Sequence, residues 1–487
     1  MCMADSMPTK KQNNTIGKYI TATFLLILLI SSVALLLHLY YQQGVYWDFI
    51  THYMYSKALI NSYFYKSMLN GTLPQAIQYE GNFYIEPFRA PLMSMLMAPF
   101  DLVFAQHAIP AYLVFEAVFL LLSAIYLAHS MKVSSLIVAP ILMMPYVMVY
   151  LTVLNGAEML SLILIVFAAA LAMRGKWQSG VLMALAALAK YSSIAFVLPL
   201  LFMPKGTRRK SIAAVFLTTA PWLIANFFIF GNPIYSYESA ITQVFVSPPP
   251  SQVSMHAALA TSISIVFYDL LPFIILIAIL ALFVYSKHHR MPKAISYKYK
   301  IAITFCAVSL LAWFALAIHA SINTLPRWGY LIYAGSAPLL SLLIYDLMRS
   351  ASKLYKNYAV RRTITYAIYS TVLLISLVLT FIAYIQMGQY PFGAFMGSKS
   401  QILLDAVQQV NSLGLGSCNF ISNAWPYLRF YGIAAHNPNY YNSTMYKYPI
   451  LIFDSFIGSG NEVTAINITK VYNLSGFQIM IPKNSIC

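Results

Sequence analysis

The sequence predicts a mainly α-helical, polytopic membrane protein with about eleven transmembrane helices and a small C-terminal α/β domain. Of its 487 residues, 60% are hydrophobic and only 9% are charged, which is typical of integral membrane proteins and not of water-soluble ones. Apolar runs of about 20 residues, the length that crosses about 30 Å of hydrocarbon, recur along the chain. They stop near residue 387, where polar residues become frequent.

These features divide the chain into three parts. Residues 1–18 are polar and carry three lysines, so they are predicted to lie in the cytoplasm. Residues 19–387 are predicted to form the transmembrane domain, in which residues 42–107 make a first extracytoplasmic loop with interfacial helices. Residues 388–487 are predicted to form the soluble α/β domain. Its predicted elements are the helix Gln401–Leu413 and the strands Cys418–Ser422, Pro449–Phe453 and Gly476–Ile481.

The basic residues predict the orientation of the helices. The net charge of +17 does not indicate nucleic-acid binding, because most Lys and Arg lie in short loops between apolar runs, as the positive-inside rule expects. The chain is therefore predicted to be a multi-pass cell-membrane protein with its N-terminus inside and its C-terminal domain outside. The apolar segment Leu92–Phe104 is predicted to lie in the interface, because a crossing there would place Arg208, Arg209 and Lys210 outside.

Two features leave alternatives open. The apolar runs Ser179–Ala189 and Ser192–Met203 flank Lys190 and are short, so they form either two thin spans or a re-entrant hairpin. Cys418 and Cys487 both fall in the C-terminal domain, where a disulfide is possible if the domain faces an oxidising space.

The first loop holds the strongest candidate for chemistry. Asp48 comes directly after the first apolar run, and a carboxylate at the membrane surface can act as a general base on a hydroxyl group. The alternative is a solvated loop acid. In a helix, His52 shares the face of Asp48 and either binds a metal or orients the base. Together with Glu80 and Glu86, His52 leaves a divalent metal such as Mg²⁺ or Mn²⁺ open as a cofactor.

Several charged residues lie close to apolar segments, where charges are costly and are usually functional or paired. Glu86 and Arg89 frame a stiff proline-containing segment, and the planar fork of an arginine suits a phosphate group. An internal Glu86–Arg89 ion pair is the alternative. Glu158, Lys190 and Arg327 are further candidates, although Lys190 could instead extend its side chain to the interface.

Five stretches carry a resemblance to a known family. They are Asp48-x4-Tyr53-x4-Ala58, RAPLMSMLMAPF, GVLMALAALAKYSSIAFVLPLLF, PWLIANFFIFGNPIYSY and LPRWGYLIYAGSAPLL. In sequence, order and spacing they resemble segments of the GT-C glycosyltransferases, in particular the branch of protein O-mannosyltransferases and bacterial aminoarabinose transferases. The protein mannosyltransferases carry Asp-Glu in the first loop, whereas Asp48 is followed here by Phe49, which weakens the case for a metal site with paired carboxylates.

The resemblance implies that a sugar moves, with inversion, from a polyprenyl-phosphate donor to a protein, lipid or glycan acceptor on the outer face of the membrane. Asp48 would be the base, and Tyr53 and Glu158 would line the substrate site. Glu86 and Arg89 would hold the acceptor, a metal or the donor phosphate. The phosphate leaving group would be neutralised by Lys190 and Arg327. The competing interpretations are a polytopic transporter and a non-catalytic membrane scaffold.

Overall fold

A computed structural model describes residues 10–60, 78–79, 83–84, 89–143, 156–245, 255–288, 297–317, 329–389, 400–436, 448–453, 468–474 and 477–483. The helices are α1 (Lys10–Gln43), α2 (Trp47–Ile60), α3 (Leu92–Phe104), α4 (Ala108–Met131), α5 (Ser135–Leu142), α6 (Ala157–Met173), α7 (Ser179–Ala189), α8 (Lys205–Phe230), α9 (Tyr235–Phe245), α10 (Met255–His288), α11 (Tyr297–Ala317), α12 (Gly329–Lys353), α13 (Tyr358–Gln389), α14 (Gln401–Ser412) and α15 (Trp425–Phe430). Two 3₁₀ helices cover Ala105–His107 and Tyr191–Phe202. The strands are β1 (Gln78–Tyr79), β2 (Phe83–Tyr84), β3 (Phe420–Ser422), β4 (Ala435–His436), β5 (Ile450–Phe453), β6 (Ile468–Leu474) and β7 (Phe477–Pro482).

The helical membrane architecture is confirmed. Among the described residues, 6 helical stretches are long and apolar enough to cross a membrane, and further apolar helices of 10–17 residues accompany them. Their outer faces carry exposed apolar side chains, for example Ile27, Leu217 and Phe228 at 59%, 75% and 75% exposure. Exposed apolar side chains in such number belong in lipid and not in water. The number of crossings and the side of each terminus stay predictions.

Helix α3 turns back on α4 after a sharp bend at Ala105, whose φ is 47°. The ring of Phe100 lies 5.5 Å from that of Tyr112 and 5.2 Å from that of Phe115. Residues 12 positions apart in a straight helix would be separated by about 18 Å, so the two helices are separate packed elements. Helix α3 also contacts α2, through His52 with Ser94 and Tyr53 with Asp101. Its predicted position in the membrane interface stays a prediction.

The segment around Lys190 is a hairpin of two short helices. Helix α7 has 11 residues and the following 3₁₀ helix has 12, which corresponds to lengths of about 16 Å and 24 Å. Neither length matches the roughly 30 Å of a hydrocarbon core. The two ends of the hairpin meet, because Ser179 Oγ lies 3.5 Å from Met203 Sδ. This geometry favours the re-entrant alternative, with Lys190 at the tip.

The small C-terminal α/β domain is also confirmed. Its five strands follow the order β4-β3-β5-β7-β6. Strand β3 runs parallel to its neighbours β4 and β5, whereas β7 runs antiparallel to its neighbours β5 and β6. The sequence predicted α14, β3, β5 and β7 but missed β4 and β6. These two lie at the sheet edges. Strand β4 has only 2 residues, and the polar residues Thr469, Lys470 and Asn473 interrupt the apolar pattern of β6. Cys418 is disulfide-bonded, and Cys487, the partner that the sequence left open, lies outside the described residues.

The C-terminal domain packs against the first loop, and the two share a hydrophobic core. One cluster of buried residues joins Phe49 of α2 and Met93 of α3 to Leu403 of α14 and Trp425 of α15. The ring of Tyr53 lies 6.1 Å from that of Phe430. Helix α2 is therefore packed from both sides, between α3 and the C-terminal domain.

Candidate active site between α2, α6 and the hairpin tip

Asp48 lies in the first turn of α2, where a negative charge is stabilised by the positive end of the helix dipole. Its Oδ1 is 2.8 Å from Nη1 of Arg89, which precedes α3, and the two side chains are only 14% and 9% exposed. The first loop therefore brings together the predicted base and the predicted phosphate ligand, although 41 residues separate them. A partly buried, charge-assisted contact of this kind fixes both groups in space.

His52 follows Asp48 by one helical turn and is fully buried, with Nδ1 3.0 Å from Ser94 Oγ of α3. Burial, together with the positive charges of Arg89 and Lys190, lowers the pKa of His52 to about 3, and Asp48 opposes this shift. The imidazole is therefore neutral at physiological pH. His52 therefore lies close enough to Asp48, Arg89 and Lys190 to interact electrostatically with all three.

This shift predicts a pH-dependent stability. Between pH 6.5, the ordinary pKa of histidine, and about 3, the unfolded chain binds a proton at His52 that the folded chain does not bind. The contribution of neutral His52 to stability is therefore complete above pH 6.5 and declines as the pH falls toward 3. We expect the melting temperature to fall less steeply between pH 7 and pH 4.5 in His52→Gln than in the unchanged protein. The same slope in both, or an equal change in the exposed-residue control His107→Gln, would contradict this assignment.

A second ion pair lies at the hairpin tip. Lys190 Nζ is 2.6 Å from Oε1 of Glu158, which is fully buried in the first turn of α6, while the lysine side chain is 22% exposed. The contact lacks the alignment of a good hydrogen bond, so we describe it as an ion pair. Lys190 therefore does not simply extend to solvent: its ammonium group is held within the protein.

A hydroxyl network fixes the chain that follows Lys190. Ser161 of α6 and Ser193 of the 3₁₀ helix are 2.5 Å apart, and Ser192 and Ser193 each lie 2.8 Å from the buried hydroxyl of Tyr330 at the start of α12. The backbone at Lys190 is extended, with φ −147° and ψ 117°. The tip is thereby bound to two neighbouring helices, which limits where the lysine can reach.

Gly156 sets the distance between α6 and the first loop. Its φ of +69° favours glycine, and an added Cβ would overlap Met93 Cε and lie 2.8 Å from Phe49 Cδ2. Glu158 is placed beside α2 and α3 because no side chain intervenes at this position.

Replacing Gly156 with alanine should therefore destabilise the protein by about 1–3 kcal/mol, through backbone strain together with overpacking. Gly175→Ala is the matched control, since its φ is +66° but nothing lies within 4 Å of the added Cβ. The thermal unfolding midpoint in detergent measures both effects. Equal losses in the two variants would show that close packing at Gly156 contributes nothing.

Three aromatic side chains that hold the backbone of Arg89 in place were not predicted from the sequence. The hydroxyl of Tyr191 donates to the backbone carbonyl of Arg89 at 3.4 Å and accepts from Trp222 Nε1 at 3.0 Å. The ring of Tyr237 packs on that of Tyr191 at 4.4 Å. All three belong to stretches that carried the family resemblance, Lys-Tyr and Pro-Trp…Gly-Asn-Pro, and this was the available signal.

The remaining candidates are placed as follows. Tyr53 donates its hydroxyl to Asp101 Oδ1 of α3 at 3.0 Å, so it links α2 to α3 on a face other than that of Asp48. Glu80, Glu86 and Arg327 lie outside the described residues. Glu116 of α4, which the sequence reading did not single out, is fully buried and interacts electrostatically with Glu158.

A metal site finds no ligand set in the described part of the chain. No group of three or more His, Cys, Asp or Glu side chains is close enough there to hold an ion. The only described candidate, His52, has Nδ1 beside Ser94 Oγ. We therefore derive no step through a metal.

Solved structures share this architecture over almost their whole length. ArnT from Cupriavidus metallidurans bound to undecaprenyl phosphate aligns with 97% of this chain and 99% of its own, with a TM-score of 0.58 and 11% identity. The chain therefore has the fold of ArnT. The apo state of the same ArnT aligns with 96% of this chain and 98% of its own, with a TM-score of 0.57 and 11% identity. No protein-family model and no curated protein matches the sequence, so the chemistry placed on this fold must be argued from the residues themselves.

Proposed function

We propose that this protein is a membrane glycosyltransferase that moves a sugar from a polyprenyl-phosphate donor to a hydroxyl-bearing acceptor. The observation that carries the proposal is the partly buried contact of 2.8 Å between Asp48 and Arg89 in a chain with the fold of ArnT. One of the similar structures is ArnT bound to undecaprenyl phosphate, which supports a lipid-phosphate donor.

In this proposal Asp48 is the general base. Its carboxylate is partly exposed at the N-terminal end of α2, so an acceptor hydroxyl can approach it. As the acceptor oxygen attacks the anomeric carbon, Asp48 takes the hydroxyl proton. Direct displacement of the phosphate in one step inverts the configuration of that carbon.

The departing polyprenyl phosphate needs positive charge, because its bond to the sugar breaks as negative charge builds on the phosphate oxygens. Arg89 can offer two parallel N–H donors and Lys190 a point charge. Both cations are held in the resting protein by carboxylates, Asp48 and Glu158 respectively. Donor binding is therefore an exchange of partners, in which the phosphate replaces a carboxylate. Arg327 and Glu86 remain candidates for the same phosphate and for the acceptor.

A transporter is the competing function with a specific observation in its favour, because the pair of buried carboxylates Glu116 and Glu158 lies among the apolar helices, where ionisable groups often mark transport pathways. The two functions differ in whether the sugar–phosphate bond breaks.

The test uses purified full-length protein with a panel of polyprenyl-phosphate sugars and a panel of hydroxyl acceptors. We expect acceptor-dependent release of free polyprenyl phosphate and a glycosylated product, both measured by mass spectrometry. Intact donor in every combination, together with sugar movement across the bilayer of reconstituted vesicles, would replace the transferase by the transporter.

A further inference from the structure

Three helix ends meet at the far end of the bundle from Asp48. Arg174, at the end of α6, donates from Nη1 to the hydroxyl of Tyr126 of α4 at 3.3 Å and lies over its ring. Tyr297, at the start of α11, donates its hydroxyl to the carbonyl of Ala172 at 3.1 Å. These contacts tie the ends of α4 and α6 to the beginning of α11.

The same contacts gather three cations. Lys132 follows α4, Arg174 caps α6 and Lys298 is the second residue of α11. The charges of Lys132 and Arg174 act repulsively on Lys298. In the described part of the chain, none of the three forms an ion pair with an acid. Asp346 of α12 faces α11, the helix that carries Lys298, but its Oδ2 accepts a hydrogen bond from Tyr299 at 2.7 Å.

The sequence supplies little to neutralise this cluster. Residues 117–157, 159–237 and 270–345 contain no Asp or Glu at all, and these are the segments that carry the three cations. Three like charges drawn together by packing repel one another, so an anion that binds between them relieves the repulsion.

The position of the cluster indicates where that anion comes from. Helix α6 begins beside Glu158 and has 17 residues, so Arg174 lies about 25 Å from the ion pairs of the site. This distance approaches the thickness of a hydrocarbon core. Trp177, which follows Arg174 closely, is 43% exposed, and exposed Trp and Tyr side chains are typical of headgroup depth.

We propose that Lys132, Arg174 and Lys298 form a binding site for the anionic headgroup of a phospholipid in the leaflet opposite the Asp48 site. The three helix ends cradle the phosphate, and the acyl chains lie along the apolar outer surface. This inference requires only that the protein spans the membrane and is independent of the proposed sugar transfer.

The test measures lipid binding to the delipidated full-length protein in detergent. Phosphatidylglycerol, phosphatidylcholine and inorganic phosphate are added separately, and the melting temperature and native mass spectra are recorded. The variant K132Q/R174Q/K298Q removes the three charges, and K205Q/R209Q/K210Q removes three exposed charges of α8 as the matched control. Since each surface cation attracts an anionic lipid appreciably, we expect the first variant to bind phosphatidylglycerol about 100-fold more weakly.

The expected pattern is stabilisation by phosphatidylglycerol alone, kept in the α8 variant and lost in the cluster variant. Equal loss in both variants would reduce the effect to general surface charge and overturn the site. Stabilisation by inorganic phosphate to the same extent would mean that a free anion, and not a lipid, is bound. If the cluster variant does not fold, single substitutions at Lys132 and Lys298 provide the same comparison.

Discussion

Asp48→Asn should reduce sugar transfer by about 10²–10⁴-fold, the usual contribution of a positioned general base. Asparagine keeps the size of the side chain and an oxygen that can accept a hydrogen bond from Arg89, which lies 2.8 Å from the carboxylate. It cannot take the proton from the hydroxyl group of the acceptor substrate. We therefore expect kcat to fall while the thermal midpoint changes little. The measurement is product formation by the purified variant with a polyprenyl-phosphate sugar.

Two comparisons separate the base from the ion pair. Asp405 of α14 is an exposed carboxylate that accepts a hydrogen bond from Gln401. The control substitution Asp405→Asn should leave turnover unchanged. Arg89→Gln should weaken the use of donor more than the use of acceptor and should keep the acidic limb of the pH–rate profile, which Asp48→Asn should lose. If Asp48→Asn retained turnover within a few-fold of the unchanged protein, the catalytic assignment would be abandoned.

Lys190→Met should have the second large effect, on both stability and donor use. The substitution leaves Glu158, which is fully buried, without its cation, and removing one partner of a buried pair costs about 3–5 kcal/mol. It also removes one of the two described cations proposed to receive the phosphate. Loss of a charge-assisted contact of this kind should lower kcat/KM for the donor about 10–100-fold.

A double-mutant cycle tells these two effects apart. In Glu158→Gln/Lys190→Met the buried charge is gone, so most of the stability should return while donor use stays impaired. Glu158→Gln alone keeps the lysine and should retain donor use. Lys176→Met, at an exposed position after α6, is the control. Full recovery of donor use in the double variant would show that Lys190 serves only the fold.

The sequence predicted the site best for charged residues that lie next to apolar segments. Asp48, Arg89, Glu158 and Lys190 could be selected because charged side chains beside apolar runs are costly unless paired or functional, and the structure places all four in two ion pairs. The sequence could not assign the pairs. It offered Glu86, which lies outside the described residues, as a neighbour of Arg89. It gave no sign that Asp48, 41 residues away, would contact the same arginine.

The support for these pairs was harder to foresee. Tyr191 holds the carbonyl of Arg89 across 102 residues, and a tyrosine in an apolar run gives no sign of its distant partner. The need for Gly156 arises only because Met93 and Phe49 occupy the space of its missing side chain. Contacts of this kind depend on how helices approach one another, which local propensity and periodicity do not encode.

By itself, the sequence determined that this is a membrane protein and that its few charged residues lie mostly at the ends of apolar helices. It did so because the free energy of moving apolar and charged groups between water and lipid depends on the residues alone. Only the tertiary structure decided which carboxylate faces which cation, that the short helices around Lys190 fold into a hairpin, and that the C-terminal domain packs on α2. These outcomes depend on distances between residues far apart in the chain, and those distances are set when the helices pack.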